Sequence, residues 1–435
     1  MNRASKNKPR SNSASAKGAK APFSAQGAEN AKSTLGTAIL ESIKRSKSSI
    51  IVLAIAALMF VAAMFYLYAE DVMEGIDDIH NPYSNEFVEF EKATVTDIVN
   101  ETIEVDEVID NAPVGSQELS VTVESGRYKG EQMTVYNYFG PNTGVPVEAG
   151  DSVTLTIKTY TDGKHTATVY EFNRIPILIA FLILFFATII IIGGRTGLKS
   201  LIGLVFTVFC LFMILIPLLL KGAPTVPTTF ITCAYVALVC FTVLGGVHRK
   251  TISAFLGTVS GTFIAMVFGL AVQFFAKIDG LRLEDAEPLI QLKYLGLPIE
   301  LRGLLVAAVI ICALGAVMDV AMSISSALEE IHAANPSLTR KELFKSGMNI
   351  GRDMVGTMTN TLILAFLGGE FTLCIFLYTR GLTFYHLFST AFVALETISG
   401  LASSIGMILA IPLTAFIAST LIERTGAKNK PAKRR

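Results

Sequence analysis

The stretch GAVMDVAMSISSALEEI, residues 315–331, decides how this chain is interpreted. It begins inside an apolar run, yet Asp319 stands where a membrane-spanning helix is expected to carry no charge. The polar link HAANPSLTR follows, and then KELFKSGMNIGRDMVGTMTN, residues 341–360, leads into a second apolar segment. The pattern predicts two adjacent antiparallel helices that carry polar residues into a membrane.

Each of these two helices is predicted to carry its polar side chains on one face. Counting helical turns from Asp319, the residues on its face are Ser323, Ser326 and Glu330. In the second helix, the residues that share a face are Asn349, Arg352, Asp353, Thr357 and Asn360. Hydrocarbon cannot solvate such groups, so both faces are expected to contact protein or water.

Composition places the chain among polytopic membrane proteins. Of its 435 residues, 51% are hydrophobic and only 17% are charged. Several apolar runs exceed the roughly 18 residues that mark a spanning helix. The predicted fold class is an all-α polytopic membrane protein of about eight transmembrane helices, with a small β-rich extracytoplasmic domain after the first helix.

Charge segregation predicts the topology. Up to Lys47 the chain carries ten Lys or Arg against two acids, while residues 70–171 carry 21 Asp or Glu against five Lys or Arg. By the positive-inside rule, both termini are expected in the cytoplasm of a cell-membrane protein. The domains predicted are a disordered basic tail (1–47), transmembrane helix 1 (48–68), an acidic β domain (69–173), a multi-helix transmembrane domain (174–422) and a basic tail (423–435).

Five segments of the acidic domain alternate polar and apolar residues as strands do. They read VEFEKATVTDIV, ELSVTVES, QMTVYNYF, SVTLTIKTY and HTATVYEF, and breaks such as Ser125-Gly126 and Asp162-Gly163 separate them. These segments predict a small β domain, an open barrel in our interpretation. Its acids match no calcium-loop spacing, so a solvated acidic surface is the preferred interpretation.

The remaining spans are predicted from length and charge at 175–193, 201–220, 227–247, 251–275, 304–325, 340–378 and 400–421. Gly257 and Gly261 have a spacing that allows close helix contact. Thr339 and Glu342 have the spacing of a capping box, which predicts a helix start near Arg340. That helix is expected to continue to Tyr378, and residues 382–397 are expected to lie at the outer interface or to be partly re-entrant.

Asp319 is the strongest single signal for function. A carboxylate near mid-depth costs about 2.5–3.5 kcal/mol on insertion scales unless it is paired or hydrated. Desolvation favours its protonated form, which would let it carry a proton near neutral pH. Two interpretations stay open here: proton or ion coupling, and a structural hydrogen bond to Arg352 or Asn360.

The full set of transport or ion-coupling candidates is Asp319, Ser323, Ser326, Glu330, Asn349, Arg352, Asp353, Asn360 and Glu370. For several of them a structural role is an equally open interpretation. An arginine at the membrane boundary can extend toward water without a function. Serines can bond to their own helix backbone.

Other function classes find little support in the sequence. The chain contains no HExxH, GxSxG or Walker-type phosphate loop, so we expect no enzyme activity and no cofactor. The five cysteines all lie in apolar runs without metal-type spacing, so we expect neither a metal site nor a disulfide framework. The basic tail lacks interleaved aromatic residues, so nucleic acid is not an expected partner.

The chain resembles the YibE/F family of bacterial multispanning membrane proteins. The resemblance rests on GAVMDVAMSISSALEEI, on KSGMNIGRDMVGTMTNTLILAFLGG and on GMILAIPLTAFIAST. It extends from about residue 175 to the C-terminus and, in our interpretation, includes the acidic domain. It implies a bacterial cell membrane and no particular biochemical function.

A second, partial resemblance is to SecD/SecF and RND proton-coupled permeases. These also have a buried Asp on a helix that ends in acids, and a large outside domain after the first span. This chain has two more spans than one such half, so the resemblance suggests proton coupling by analogy only.

Two hypotheses follow. The first is a secondary transporter or permease of a small molecule or ion, in which Asp319 binds the coupling proton or ion and the two polar faces line the path. The second is a non-transporting scaffold that presents its β domain to an envelope protein. The lipid bilayer is the expected partner in both, and a homo-oligomer is compatible with both.

Overall fold

The computed structural model describes residues 49–64, 86–160, 164–283, 286–381, 383–389 and 391–426. Several sequence predictions fall outside these residues: the tail 1–47, the end of the first span at 65–68, the turn at Asp162-Gly163 and most of the C-terminal tail. The described chain forms a β barrel followed by a bundle of long helices.

The acidic domain contains the five predicted strands. They are β1 (Glu86–Asp106), β2 (Ala112–Val123), β3 (Gln132–Phe139), β4 (Ser152–Tyr160) and β5 (His165–Phe172). The last three have the bounds of their alternating segments. In β3 every second residue is buried, from Met133 to Phe139. Period-two alternation therefore identified these strands correctly.

The sheet closes into a barrel with the strand order β1-β2-β3-β5-β4. Long β1 pairs with β4 through its first half and with β2 through its second half, which joins the two edges of the sheet. β3 and β5 are parallel neighbours at Tyr136 and Thr168. The expectation of an open barrel was therefore wrong, because the sheet is closed.

Two buried amide side chains fix the β3–β4 loop at one end of the barrel. Asn137 Nδ2 donates to Gln117 Oε1 (3.1 Å) and to the Val145 carbonyl (3.0 Å). Gln117 Oε1 also accepts from the Val147 backbone N–H (3.0 Å), and Gln117 Nε2 donates to the Val147 carbonyl (3.0 Å). Buried polar groups are tolerated when they are paired in this way.

The helices are α1 (Ser49–Met64), α2 (Ile175–Leu220), α3 (Thr225–Gly245), α4 (Arg249–Ala276), α5 (Ala286–Tyr294), α6 (Leu304–Ala334), α7 (Arg340–Gly369), α8 (Phe371–Thr379), α9 (Phe384–Ser389) and α10 (Ala391–Gly426). Among the described residues, five are long and apolar enough to cross a membrane, or six if α7 and α8 form one bent span. The count of eight spans stays a prediction.

Helix α2 contains a sharp reversal that bears on the span count. Gly194 has φ 54° and ψ −132°, a conformation that glycine adopts readily and other residues do not. A Cβ on Gly197 would collide with the Ile189 carbonyl oxygen. In a straight helix these residues would lie about 12 Å apart along the axis, so the chain folds back between them. The predicted spans 175–193 and 201–220 lie on either side of this reversal.

Helices α4, α6 and α10 pack closely around small residues and form the centre of the bundle. A Cβ on Gly261 would lie 2.6 Å from Ala410 Cβ and 2.7 Å from Val317 Cγ1, and one on Gly257 would collide with Thr414. The prediction that this glycine pair allows close helix contact is confirmed. Small residues permit the approach because no side chain separates the backbones.

Helix α7 begins as predicted and ends earlier than predicted. Thr339 and Glu342 form the capping box, with the Thr339 N–H donating to Glu342 Oε2 at 2.8 Å. The helix ends at Gly369, and α8 continues at a bend of 65°. The expectation of one helix to Tyr378 was therefore wrong. The last spanning helix begins at Ala391, so residues 391–397 belong to it and do not form a separate interfacial segment.

The α4–α10 contact predicts that Gly261→Leu destabilises the bundle, by about 1–3 kcal/mol or more, because overpacking forces the helices apart. Gly356→Ala is the matched control, since a Cβ there meets nothing within 4 Å. Thermal unfolding of the detergent-solubilised protein measures both. Equal melting temperatures for the two variants would contradict the packing described.

The amide pair predicts that Asn137→Leu destabilises the barrel by about 1–3 kcal/mol, because it removes the amide that donates to the buried Gln117 side chain and to the Val145 carbonyl. Thr134→Leu, on the exposed side of the same strand, should have little effect. Thermal unfolding followed by β-sheet circular dichroism checks the prediction. A decrease in melting temperature no larger than that of Thr134→Leu would show that the two amides do not fix the loop.

Candidate functional site

One face of α6 carries small and polar residues where the neighbouring faces are apolar. Its members follow each other at intervals of three or four residues: Ala308, Cys312, Gly315, Asp319, Ser323, Ser326 and Glu330. All are exposed except Ser326, which is half-buried. The opposite face packs into the bundle through Val317, Val320, Ile324 and Leu328. The polar residues therefore face away from the bundle of their own chain.

Asp319 lies at the middle of α6, the sixteenth of 31 residues. At 1.5 Å per residue, it is about 22 Å from either end of the helix. Among the described residues, its carboxylate has no hydrogen-bond or ion-pair partner. Asp319 therefore forms no structural hydrogen bond with Arg352 or Asn360 of the same chain.

Helix α7 is attached to the bundle through glycines. Its buried residues are Leu343, Gly347 and Gly351. A Cβ on Gly347 would lie 2.9 Å from Ala415 Cβ of α10 and 3.0 Å from Leu328 Cδ1 of α6. Because these three residues define the inward face, the polar face lies on the outside. Its exposed residues are Asn349, Arg352, Asp353, Thr357 and Asn360.

The two glycine contacts fix the relative height of the polar residues on α6 and α7. Gly347 lies against Leu328, and Gly351 lies against Ile324. In antiparallel helices, moving one residue forward along one helix corresponds to moving one residue back along the other. Residues at about the same height are therefore Glu330 and Lys345, Ser326 and Asn349, Ser323 and Arg352, Asp319 and Gly356, and Gly315 and Asn360.

This alignment sets the depth of Arg352 and Asn360, the two residues that the sequence offered as hydrogen-bond partners of Asp319. In the structure both stand about one helical turn, roughly 6 Å, from the height of Asp319, on opposite sides of it. Gly315 and Gly356 leave open space near this height, since a Cβ on either meets nothing within 4 Å.

We call the exposed residues of these two faces, from Ala308 to Glu330 on α6 and from Lys345 to Asn360 on α7, the α6/α7 polar face. It carries five charged side chains, all exposed: Asp319, Glu330, Lys345, Arg352 and Asp353. None has an ion-pair partner within the described part of the chain. The face is thus nearly neutral overall, with three acids and two bases.

Glu370 does not belong to this face. It is half-buried at the junction of α7 and α8, where its backbone N–H donates to the Phe366 carbonyl. Ten residues separate it from Asn360, a rise of about 15 Å along α7. The bend between the two helices then directs the chain away from the line of the other candidates.

The interior of the bundle contains buried hydroxyl groups that the sequence analysis missed. Ser325, Thr258 and Thr414 are buried, and their hydroxyl oxygens have no hydrogen-bond partner among the described residues. Ser403 Oγ donates to the Val309 carbonyl across two helices (3.3 Å). The recurrence of Ser, Thr and Gly at helical spacing in α4 and α10 was the available signal.

Metal and thiol chemistry receive no support from the described residues. No group of three or more His, Cys, Asp or Glu is placed to hold a metal ion there. The five cysteines are free. Cys210, Cys233 and Cys240 are buried as expected, whereas Cys312 is exposed on the α6/α7 polar face.

The barrel and the long apolar helices define a multi-pass membrane protein with one β domain. A sequence model of YibE/F-like proteins matches residues 181–424, more than half of the chain. The chain therefore belongs to the YibE/F-like family, as its motifs indicated. The match begins after the barrel, so the expected inclusion of the acidic domain is not part of it.

Comparisons with curated proteins and with solved structures give no match. They provide no support for the partial resemblance to SecD/SecF or RND permeases. The family match contains the whole α6/α7 polar face.

Because Asp319 has no hydrogen-bond or ion-pair partner among the residues that the structure describes, Asp319→Leu should leave the melting temperature of the detergent-solubilised monomer almost unchanged. Gly351→Leu is the contrasting variant, since a Cβ there would collide with Ile411, and it should lower the melting temperature clearly. Thermal unfolding of both variants tests this. A comparable loss for Asp319→Leu would show that the carboxylate is a structural group.

Proposed function

We propose that this protein is a proton- or ion-coupled secondary transporter of the cell membrane, with Asp319 as the coupling site. The observation that supports it is the position of Asp319, midway along a helix that is long and apolar enough to span a membrane, exposed on a face of small and polar residues and without a partner among the described residues. A carboxylate there costs about 2.5–3.5 kcal/mol if it faces lipid. Membrane proteins keep residues that carry this cost where the residue has a function, such as binding a proton or a cation.

The other residues of the face have roles that follow from their height. Ser323, Ser326 and Glu330 on α6, and Asn349 and Asn360 on α7, extend from the height of Asp319 toward one or the other end of the helices. Hydroxyl, amide and carboxylate oxygens can replace the hydration shell of a cation or relay a proton. Arg352 and Asp353 contribute charge within about one helical turn of the height of Asp319.

The orientation is part of the proposal. The barrel would lie outside the cytoplasm and both termini inside. Val247 N–H donates to Ser49 Oγ (2.9 Å), so the start of α1 lies beside the end of α3. That end continues into His248, Arg249 and Lys250, a basic cluster of the kind that stays on the cytoplasmic side. In the sequence, the acidic barrel follows the other end of α1.

A scaffold is the second candidate, favoured by the outer wall of the barrel. Phe90 and Tyr170 are exposed with ring centroids 5.0 Å apart, and Tyr136 and Tyr138 are exposed and stacked on the neighbouring strand β3. Exposed aromatic residues are enriched at protein interfaces. In this alternative, the barrel presents this wall to an envelope protein and the membrane helices only hold it in place.

Proton and sodium flux into proteoliposomes under an imposed gradient tests the transporter proposal. We expect flux with the wild-type protein and a loss of at least tenfold with Asp319→Asn, which cannot ionise. Glu329→Gln is the matched control, because it removes a carboxylate from the same helix but not from the polar face. It should retain flux.

All three proteins must show the same melting temperature, so that a loss of flux cannot be a loss of folding. Flux that survives Asp319→Asn would contradict the role of this residue. Absence of flux of either ion with the wild-type protein would favour the scaffold. Substitution of Tyr136 and Tyr170 by Ser would then be expected to abolish capture of an envelope partner.

A further inference from the structure

We propose that a second copy of this chain covers the α6/α7 polar face, so that the working unit is a two-fold symmetric dimer with its axis perpendicular to the membrane. The proposal concerns the surface that surrounds Asp319. It deepens the proposed function, and it rests on that function only in placing the transport path at the dimer interface.

The first argument is that the face is too polar to contact lipid. The exposed side of α2 shows what a lipid-facing surface looks like in this chain, since it is built from residues such as Ile177, Leu178 and Phe181. The exposed face of α6 instead carries Gly315, Asp319 and Ser323. With no lipid hydrogen bonds available in the hydrocarbon region, these groups need another polar surface or water.

The second argument is that the face is complementary to itself. A two-fold axis perpendicular to the membrane leaves the height of every residue unchanged. When α6 of one copy lies opposite α7 of the other, residues of equal height meet. Glu330 then meets Lys345 of the other copy at the same height, and Asp319 comes within about one helical turn of Arg352 of the other copy.

The ion pairs that such a dimer forms are not made within one chain. Glu330 and Lys345 are at equal height on adjacent helices of the same chain and are both exposed, yet they form no ion pair with each other. Asp319 and Arg352, whose heights differ by about one helical turn, also form no ion pair with each other. A second copy supplies Lys345 for Glu330 and Arg352 for Asp319, and each pairing occurs twice by symmetry.

The third argument is that the face permits close approach. Ala308, Cys312, Gly315 and Ser323 on α6, with Gly356 on α7, are small residues. Helix pairs in membranes associate through such residues, since they allow backbones to come near and polar groups to bond. The gaps at Gly315 and Gly356 lie near the height of Asp319, so a dimer leaves its free volume beside the two carboxylates.

Cross-linking between differently tagged copies tests the proposal. In a background where the five native cysteines are replaced, one copy carries Glu330→Cys and the other carries Lys345→Cys. Each chain has one cysteine, so a disulfide can form only between chains. We expect oxidation in native membranes to give a heterodimer that contains both tags as the main cross-linked product.

Leu178→Cys in both copies is the matched control, because this residue is exposed on the apolar side of α2. Its cross-linking reports random collision. A yield for the Glu330/Lys345 pair that does not exceed this control would overturn the proposal. So would single-molecule photobleaching in liposomes that shows one chain per particle at dilute protein.

Charge reversal provides a second, independent measurement. Glu330→Lys should reduce the dimer fraction at least fivefold, and the double variant with Lys345→Glu should restore it. Loss without restoration would contradict the assigned pairing, provided that the monomer melting temperatures of the variants are equal. These measurements do not depend on ion flux, so a dimer without flux would refute the transport function while leaving the interface in place.

Discussion

The structure depends on one constraint: hydrocarbon offers no hydrogen bonds, so polar atoms must be satisfied inside the protein or kept small. In the bundle centre, this constraint appears as glycine, alanine and hydroxyl residues at the contacts of α4, α6 and α10. Gly257 and Gly261 allow α4 to approach α10 so closely that Thr414 and Ala410 occupy the space of the absent side chains. Dispersion contacts at short range then replace the hydrophobic effect as the source of stability.

The same constraint positions the candidate site. Gly347 and Gly351 hold α7 against α6 and α10, and this contact determines which side of α7 is left for Asn349, Arg352, Asp353 and Asn360. It also sets the height at which they stand beside the polar residues of α6. The charged residues are thus arranged by an uncharged contact on the opposite side of the helix. A change in the glycines would move the whole polar face, although none of its members would be replaced.

Local periodicity made part of this structure predictable. Strands β3, β4 and β5 were located from alternation alone, because each has one face in a barrel core. The start of α7 was located from the Thr339 capping box. Closure of the barrel was not predictable in this way, since it depends on β1 pairing with β4, and these strands are about 60 residues apart in sequence. The end of α7 was missed because apolar residues continue through Gly368 and Gly369, and composition does not report a bend.

The polar residues show the same limit most clearly. The period of 3.6 correctly grouped Asp319 with Ser323 and Glu330, but a period defines which residues share a face and not where that face points. The solvent argument required only protein or water around the face, and this requirement is satisfied equally well by the chain's own helices, by water or by another chain. Only the buried positions of Gly347, Gly351, Ile324 and Leu328 decide the direction, and they place the face outside.

An outward polar face in the middle of a membrane separates the two candidate functions more sharply than the sequence could. A scaffold needs helices only as anchors, and an anchor is most stable when every outward residue is apolar, as along the first half of α2. A mid-membrane Asp that has no partner in the described part of its chain makes such an anchor less stable and adds nothing to the presentation of a barrel. The family match begins at residue 181 and contains the polar face but not the barrel. The feature that is costly for a scaffold therefore lies within the matched region, whereas the barrel that a scaffold would present lies outside it.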